Sequence, residues 1–596
     1  MSSQQAFLNV TRSLGGRRWI ARPSDERTAL ALAQSHGLPE LVGRVLSARG
    51  VDLPTAENFL SPTLKALLPD PSHLKDMDAA ADRIARAIRS GERVAVFGDY
   101  DVDGATSSAL LRRFFRAAGA DLSVYIPDRI AEGYGPNAPA LIRLKEKGIS
   151  LVVTVDCGVT AFDPLAAAAA AGLDVVVVDH HAAEPRLPQA VAVVNPNRVD
   201  DASPHKTLAA VGVTFLLVVA LNRALRDAGW WSAGRPQPDL LGWLDIVALG
   251  TVCDVVPLVG LNRALVSQGL RVMARRSNPG ITALSDLCKL AEKPDAWHAG
   301  YILGPRVNAG GRVGASDLGA RLLSTDDPAE AADLARILDQ HNTERRAIEA
   351  AVVEEAMVQV EAALEDLGGL VFAVGEGWHP GVIGIVAARL KERYNRAACV
   401  VALDKGIGKA SGRSVRGVDL GAAVIAARHA GLLIAGGGHR MAAGFTAAAE
   451  RLPELKRFLS DRIAAQQEGG PLAPTLELDG VLSVGGATPG LVGTLAKLGP
   501  FGTGNSEPRF ALADARIAHA SVVGENHVRC ILTSGGGERL KAIAFRALDS
   551  DLGKGLLKSG GAPLHVAGHL RPDNWQGRNE VQLMIEDAAP VWGTAG

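Results

Sequence analysis

Cysteine is scarce in this sequence, and the cysteines that are present form no recognisable set. Only five occur in 596 residues, and no Cys-x-x-C pair is among them. An odd number of scattered cysteines argues against a disulfide framework and against a structural zinc site. We therefore expect a cytoplasmic protein whose cysteines are reduced.

Long apolar runs and a strong net charge are also missing. The longest apolar stretch, residues 208–221, is shorter than the ~20 residues that a membrane-spanning helix needs, so it predicts a buried helix. No apolar segment typical of a signal peptide occurs near residue 1. The formal net charge is −1, so a polyanionic partner must be bound by a local basic patch. Aromatic residues make up only 4%, which allows few base-stacking platforms.

Three carboxylates follow a short apolar run in residues 94–104, V-A-V-F-G-D-Y-D-V-D-G. The apolar run predicts a buried strand, and Asp99, Asp101 and Asp103 come directly after it. Like charges crowded in this way repel one another unless a cation lies among them, and Mg²⁺ and Mn²⁺ prefer oxygen ligands. An EF-hand calcium loop is excluded because a strand, not a helix, leads into the acidic segment.

Strand-like and helix-like segments alternate from about residue 75 to 260. The strand candidates are short, β-branched and continuous, which is typical of parallel sheets buried on both faces. They are residues 94–97, 122–126, 151–155, 175–178 and 191–194. The pattern predicts an α/β fold with a doubly wound parallel sheet.

Metal-type ligands follow other apolar runs of the same region. Asp156 follows residues 151–155, Asp179-His180-His181 follows 175–178, and Asp254 follows 246–252, which we interpret as a further strand. A single such residue is more often a helix cap or a structural histidine. Because the carboxyl ends of parallel strands converge, the set predicts a pair of Mn²⁺ or Mg²⁺ ions about 4 Å apart, an arrangement used on phosphate esters.

These motifs resemble the DHH phosphoesterase superfamily, named after the triplet found here at residues 179–181. The resemblance implies the following metal ligands: Asp99 and Asp101 at the first metal, Asp103, His180 and Asp254 at the second, and Asp156 as the bridge. It also implies that His181 faces the phosphate and that Asp179 orients a histidine. His181, Asp156 and Asp179 are thereby the expected catalytic residues.

Several basic segments are candidates for phosphate binding. Arg129 lies in a loop that leaves the same predicted sheet edge, and a surface salt bridge is its alternative role. Residues 300–314, G-Y-I-L-G-P-R-V-N-A-G-G-R-V-G, predict a glycine-rich loop similar to a segment of the RecJ family of single-stranded-DNA-specific exonucleases. In that resemblance Arg306 faces the substrate and Arg312 is structural.

A second α/β unit is predicted for residues 369–447, with ten Lys or Arg against three acids between residues 389 and 440. Ser411 and Arg413 are expected in a tight loop that holds a phosphate. Residues 437–444 are expected at the start of a helix and resemble the G-G-H-x-x-A-A-G signature of the DHHA1 domain, with His439 as a substrate contact. With Arg129 and Arg306, these residues are implied to recognise a 5′-terminal phosphate.

Five short strand-like runs after residue 510 predict an OB-like β-barrel. The preceding residues 500–508, P-F-G-T-G-N-S-E-P, resemble a RecJ segment. Candidate strand-binding residues on the barrel are His527, Arg529, Lys541, Arg546, Arg571 and Trp575.

The expected domains are an N-terminal cap segment (1–70), a DHH domain (71–320), a connecting helix (321–367), a DHHA1 domain (368–465) and an OB-like nucleic-acid-binding domain (466–596). The resemblance implies a monomeric 5′→3′ exonuclease that degrades single-stranded DNA to 5′-mononucleotides by two-metal hydrolysis in repair and recombination. The resemblance also implies a single-strand-binding protein and a helicase as partners, and it implies no association with a membrane. Alternatives are a hydrolase of short RNAs or cyclic dinucleotides, a manganese pyrophosphatase, which the OB-like tail disfavours, and a non-catalytic replication scaffold.

Overall fold

The structure is a computed structural model that describes residues 5–129, 132–363, 368–467, 473–573 and 580–591. The chain divides into two compact units. The larger unit comprises Pro69–Val256 and Gln268–Leu472. The smaller unit comprises Met1–Leu68, Pro257–Ser267 and Ala473–Gly596.

The helices alternate with strands through most of the chain. They are α1 Glu26–His36, α2 Glu40–Ser47, α3 Leu53–Leu60, α4 Leu64–Leu67, α5 Met77–Arg89, α6 Val102–Ala117, α7 Ala138–Glu146, α8 Phe162–Ala170, α9 Ala210–Asp227, α10 Leu244–Cys253, α11 Gly260–Met273, α12 Pro279–Leu287, α13 Gly304–Val313, α14 Leu318–Ser324, α15 Pro328–Ala362, α16 Ile383–Tyr394, α17 Leu420–His429, α18 Leu452–Gln466, α19 Pro489–Ala496 and α20 Asp551–Leu557. None of the helices in the described part of the chain combines the length and apolarity that a bilayer crossing requires.

The strands fall into four sheets. They are β1 Arg18–Ala21, β2 Val94–Gly98, β3 Leu122–Tyr125, β4 Leu151–Val155, β5 Asp174–Val178, β6 Ala192–Val194, β7 Leu370–Glu376, β8 Ala397–Asp404, β9 Ile407–Arg413, β10 Ala435–His439, β11 Ala442–Ala448, β12 Thr475–Leu478, β13 Gly480–Leu482, β14 Phe510–Val523, β15 His527–Thr533, β16 Arg539–Ala544, β17 Pro563–Asp573 and β18 Glu580–Pro590.

The first sheet of the larger unit is parallel throughout, with strand order β3-β2-β4-β5-β6. Strands β2 and β4 are buried along their whole length, which explains their continuous apolar sequences. On one face, Phe97 and Val152 pack in a cluster with Leu141 of α7 and Leu165 of α8. The predicted doubly wound sheet is confirmed, and the carboxyl ends of β2, β4 and β5 lie side by side at one edge.

The second sheet of the larger unit has the order β10-β11-β9-β8-β7, in which only β7 and β8 are parallel. It is preceded by α15, a helix of 35 residues that is capped by Asp327. The expected long connecting helix is thus confirmed.

The smaller unit contains a closed barrel of β14, β15, β16, β18 and β17, sealed by pairing between β14 and β17. This confirms the predicted OB-like barrel. Residues of α1 and α2, among them Leu32 and Leu46, share one hydrophobic core with Phe510 and Leu583 of the barrel. The N-terminal segment therefore folds as part of this unit.

Several local predictions were wrong. Residues 246–252, expected as a strand, lie in α10, whose residues 244–251 are all buried. A continuous apolar run does not distinguish a strand from a fully buried helix. Residues 411–413 belong to β9, and residues 437–444 form a β10–β11 hairpin where a helix start was expected.

The glycine-rich residues 300–314 form a π-helical turn, His298–Leu303, followed by α13, and not a loop. Their glycines serve close packing. A Cβ added to Gly304 would lie 2.3 Å from Cys253 Sγ, and one added to Gly311 would lie 2.2 Å from the carbonyl oxygen of Tyr100.

Candidate metal centre

Five aspartates and two histidines from separate segments meet at the carboxyl edge of the parallel sheet. Their ligand atoms form three overlapping groups, each within 4.8 Å: Asp99, Asp101 and Asp156; Asp103, His180 and Asp254; and Asp156, His180 and His181. The structure thus brings together all six residues that the sequence predicts as metal ligands. His180 Nε2 lies at the centre, 3.3 Å from Asp156 Oδ1 and 3.6 Å from Asp254 Oδ2.

The backbone at Asp156 is unusual. Its φ of 61° lies in the left-handed region, although its N–H still donates to the carbonyl of Val178 at 3.0 Å, as a residue of the sheet would. Non-glycine residues adopt this conformation at an energetic cost and are common at functional sites. A carboxylate oxygen of Asp156 lies within 4.8 Å of oxygens of Asp99 and Asp101, and Asp156 Oδ1 lies 3.3 Å from His180 Nε2.

Helix N-termini orient Asp101 and Asp103. Asp101 caps α6 and accepts the N–H groups of Asp103 and Gly104 at 2.9 and 3.1 Å. Asp103 accepts the N–H groups of Ala210 and Val211, at the start of α9, at 2.6 and 2.8 Å. Burial and the neighbouring Asp101 nevertheless raise the pKa of Asp103 to about 7.

The two histidines are held differently. His180 Nδ1 lies 3.0 Å from the carbonyl oxygen of Leu208, so Nδ1 carries the proton and Nε2 presents its lone pair to the aspartates. Burial and His181 lower the pKa of His180 to about 4, which keeps it neutral, as a metal ligand must be. His181 Nδ1 lies 2.8 Å from Asp179 Oδ1, and its side chain is 47% exposed.

Asp179 stands behind the site as a buried acceptor. It also receives the N–H groups of Val159 and His180 at 3.0 and 2.7 Å. Burial alone would raise the pKa of Asp179, but the hydrogen bonds from His181 and the backbone outweigh it and lower the pKa to about 2. The same hydrogen bond raises the pKa of His181 above its usual value, against the effect of burial.

Four buried polar atoms of this cluster have no hydrogen-bond partner among the described residues: Asp99 Oδ1, Asp156 Oδ1, Asp254 Oδ2 and His180 Nε2. Burial and the adjacent carboxylates raise the pKa of Asp254 to about 9 and that of Asp156 well above its usual value. Unsatisfied buried groups of this kind are costly. Divalent cations would satisfy all four atoms, and a set of carboxylates with one imidazole suits Mn²⁺ or Mg²⁺. The residues therefore fit the expected metals.

A cavity of about 390 Å³ in the same unit brings together the predicted phosphate-binding residues of two regions. Arg129, Ser411, Arg413 and His439 all line it, together with Lys409. Arg413 Nη1 donates to Ser411 Oγ at 3.1 Å, and the Arg129 guanidinium lies 4.9 Å from the ring centroid of Tyr100, between Asp99 and Asp101. The cavity thus adjoins the acidic cluster.

Arg306 is not among the residues that line this cavity in the described part of the chain. Its Nε donates to Asp339 Oδ1 at 2.8 Å. Arg312, which was expected to be structural, lies near Arg129 and Asp101. Burial and the adjacent Arg129 lower the pKa of Arg312 to about 10, whereas the charge of Asp101 acts to raise it. In a helix, residues six apart face different directions. If the segment had been predicted as a helix, Arg306 and Arg312 would have been expected on different faces of it.

On the barrel, some of the residues predicted to bind the DNA strand form ion pairs within the protein. Lys541 Nζ lies 2.8 Å from Asp573 Oδ2, and Arg571 Nη2 lies 2.7 Å from Glu507 Oε2. Arg529 is exposed on β15. Trp575 lies outside the described residues.

Three family models match the chain: the DHH family N-terminal domain over residues 93–251, the DHHA1 domain over 366–465 and the RecJ OB domain over 478–587. The single-stranded-DNA-specific exonuclease RecJ of Bacillus subtilis is 36% identical over 584 residues, which are 96% of this chain and 71% of that protein. The RecJ of Dickeya dadantii is 37% identical over 93% of this chain and 96% of that protein. The chain belongs to the RecJ family.

RecJ structures also match the fold. The crystal structure of Thermus thermophilus RecJ in complex with Mn²⁺ has a TM-score of 0.78 and 30% identity, and covers 96% of this chain and 79% of that chain. Its complex with Mg²⁺ has a TM-score of 0.73 and 28% identity, with 96% and 78% covered. The ions in these two RecJ structures are the two that the sequence predicts as cofactors. The exact domain boundaries and the roles of the individual site residues stay predictions.

Proposed function

We propose that the chain is a Mn²⁺- or Mg²⁺-dependent exonuclease that degrades single-stranded DNA from its 5′ end, in DNA repair and recombination. The observation that carries the proposal is the set of four unsatisfied, buried ligand atoms beside a cavity lined by arginines. The relatives named single-stranded-DNA-specific exonuclease RecJ support the substrate class.

Two groups of residues would hold the metals. Asp99, Asp101 and Asp156 surround one position, and Asp103, His180 and Asp254 surround the other, with Asp156 within reach of both. When bound, the ions would lower the pKa of a water nucleophile and stabilise negative charge on the phosphoryl oxygens.

The remaining polar residues bind and orient the strand. Asp179 fixes His181 through Nδ1, so that Nε2 faces outward and donates a hydrogen bond to the phosphate. Arg129, Ser411 and Arg413 bind the 5′-terminal phosphate, since guanidinium groups and hydroxyls match phosphate oxygens. A cavity of about 390 Å³ is at the small end of ligand sites, which favours a single terminal nucleotide over a duplex end.

Arg306 and the protein partners enter the proposal through the family resemblance. Arg306 would have to leave Asp339 to contact DNA. A single-strand-binding protein and a helicase as partners, and a monomeric state, rest on the family resemblance alone. A cytoplasmic location is supported by five free cysteines.

The test is digestion of 5′-phosphorylated, 3′-labelled oligonucleotides with Mn²⁺. We expect stepwise shortening from the 5′ end and release of 5′-mononucleotides from the single strand, with little digestion of a blunt duplex. Arg413→Ala should weaken the preference for a 5′-phosphate, whereas Arg336→Ala, on the exposed surface of α15, should not. Internal cuts, equal digestion of duplex, or a preference for cyclic dinucleotides would contradict the proposal.

A further inference from the structure

The loop after β3 carries a tyrosine that touches the metal centre from outside the ligand set. Tyr134 stands between Gly133 and Gly135, whose φ values of 83° and 74° lie in the left-handed region that glycine adopts freely, and the residue as a whole is 53% exposed. Its ring packs edge-on against His181, with centroids 6.0 Å apart and an interplanar angle of 79°. It packs in the same way against Tyr100, at 6.4 Å and 79°.

The Tyr134 hydroxyl has two partners in the site. It donates to the backbone carbonyl of Asp156 at 3.2 Å, and it lies 3.4 Å from His181 Nδ1. A hydroxyl has one proton and two lone pairs. Because the proton is directed at Asp156, a lone pair is left to face the Nδ1–H of His181, which it shares with Asp179 at 2.8 Å.

We propose that Tyr134 is a positioning residue that fixes the ring of His181 toward the substrate, an inference that rests on the proposed function. His180 is held by burial, since its side chain is only 12% exposed. His181 is 47% exposed, so packing alone does not set its orientation. Asp179 contacts one atom of the ring, and the Tyr134 hydroxyl, 3.4 Å from the same Nδ1, adds a second contact that restricts rotation of the ring.

The contact with Asp156 connects this histidine to the residue that is predicted to bridge the two metals. Asp156 has a φ of 61°, and its carbonyl accepts the Tyr134 hydroxyl. One side chain therefore contacts both the backbone of Asp156 and the ring of His181.

The loop itself is anchored away from the site. Glu132 accepts the hydroxyl of Tyr125 at 2.6 Å, the Arg143 guanidinium at 2.7 Å and the N–H of Asp128 at 3.0 Å. These bonds fix the backbone two residues before Tyr134. Glu132, two residues before Tyr134, is thus tied to β3 and α7.

The first test is Tyr134→Phe, which keeps the ring and removes the hydroxyl. We expect kcat to fall about 10-fold, the size seen when groups that orient catalytic histidines are removed, while KM and Mn²⁺ affinity change less than about 2-fold. The matched control is Tyr394→Phe, because the buried Tyr394 hydroxyl has no hydrogen-bond partner among the described residues. That control should leave kcat unchanged and should not lower the melting temperature.

The decisive test is a double-mutant cycle with His181→Ala, measured under single-turnover conditions in the full chain. If Tyr134 acts through His181, Tyr134→Phe should change the rate less than about 2-fold when His181 is absent. A full 10-fold effect in that background, or a loss of Mn²⁺ affinity equal to the loss of kcat, would overturn the inference.

A crystal structure of Tyr134→Phe with Mn²⁺ provides a readout that needs no activity. We expect the ring of His181 to be rotated or present in two orientations, compared with one in the unmodified protein. An unchanged single orientation would overturn the inference. An unmodified protein that is inactive on single-stranded DNA but shows the expected ring difference would contradict the proposed function and leave the positioning intact.

Discussion

At the scale of single residues, the site consists of groups that the protein itself leaves unsatisfied. Asp99, Asp156 and Asp254 each present a buried oxygen without a partner among the described residues, and His180 presents a nitrogen. Their burial and mutual repulsion raise the pKa values of the carboxyls. The arrangement is unfavourable without a cation and favourable with one, so stability and metal binding are coupled.

Asp156→Asn tests this coupling. Asparagine tolerates the left-handed backbone at this position and removes one charge from the cluster. We expect the metal-free variant to melt at the same temperature as the unmodified protein, or higher. Mn²⁺ at about 100 times its Kd should stabilise the unmodified protein by about 2.7 kcal/mol, and the variant by much less.

Thermal denaturation with EDTA or Mn²⁺ measures both effects. Asp461→Asn, an exposed aspartate on α18, is the control and should respond to Mn²⁺ like the unmodified protein. A metal-free Asp156→Asn protein that is much less stable would show that Asp156 is structural.

The pH dependence of Mn²⁺ binding follows from the raised pKa values of Asp103, about 7, and Asp254, about 9. At pH 6 both carboxyls hold protons in the metal-free protein, and a bound ion must displace them. Raising the pH removes the competing protons, so Mn²⁺ affinity should increase from pH 6 to pH 9. Calorimetry in two buffers of different ionisation enthalpy should show proton release at pH 7.5. A flat profile without proton release would contradict this.

At the scale of elements, the glycines near the site permit close approach of one backbone to another. Gly104 lies in the first turn of α6, and a Cβ there would come within 2.3 Å of the Asp99 carbonyl oxygen and 2.6 Å of its nitrogen. Backbone atoms do not move aside as the end of a long side chain does. The acidic loop can therefore pack against the first turn of α6 only because Gly104 has no side chain.

We expect Gly104→Ala to lower Mn²⁺ affinity by at least about 10-fold, because the displaced Asp99–Asp101 loop loses its geometry, as small shifts in orienting groups do. The clash should outweigh the gain in helix propensity of about 1 kcal/mol. Gly493→Ala in α19 is the matched control, since nothing lies within 4 Å of an added Cβ there. It should leave Mn²⁺ affinity unchanged. Equal Mn²⁺ affinity in Gly104→Ala would contradict the packing argument.

The sequence predicts the elements whose form is set by local sequence patterns. It does not predict the elements whose form is set by their tertiary environment. The strands β2, β4 and β5 are short apolar runs rich in valine, and each is followed closely by a predicted metal ligand. Both the strands and the ligands were therefore predictable. The position of Asp254 was predicted although its element, α10, was not, because a helix buried on all sides has no periodic pattern. The approach of Arg312 to Arg129 and Asp101 follows from the helical form of α13, which the glycines of that segment do not indicate.

At the scale of the whole molecule, the smaller unit is assembled from segments far apart in the sequence. The fully buried Asp587 accepts Ser13 Oγ at 2.6 Å and Trp19 Nε1 at 3.0 Å, from residues more than 560 positions away. Arg49 Nη1 binds Asp479 Oδ1 at 2.9 Å, and its Nη2 binds the carbonyl of Ser506 at 2.6 Å. No local sequence pattern predicts contacts between segments so far apart. The role of the N-terminal segment was therefore not predicted from the sequence.

Deleting residues 1–68 should therefore destabilise the barrel. The deletion removes one side of the core that Leu32 and Leu46 share with Phe510, and it removes the Ser13 and Trp19 side chains that donate to Asp587. We expect limited proteolysis to cut within residues 473–591 much faster than in the full chain, while Mn²⁺ affinity changes less than about 3-fold, since all six predicted metal ligands belong to the other unit. A barrel as resistant as in the full chain would show that the N-terminal segment is dispensable for folding.

The central claim is that Asp99, Asp101, Asp103, Asp156, His180 and Asp254 form one centre for two ions. Titration of the full chain with Mn²⁺, followed by electron paramagnetic resonance, tests it most directly. The account predicts two ions per chain with the spectrum of a magnetically coupled pair, and loss of that coupling in Asp156→Asn. A single uncoupled ion, or a coupled pair that survives Asp156→Asn, would contradict it.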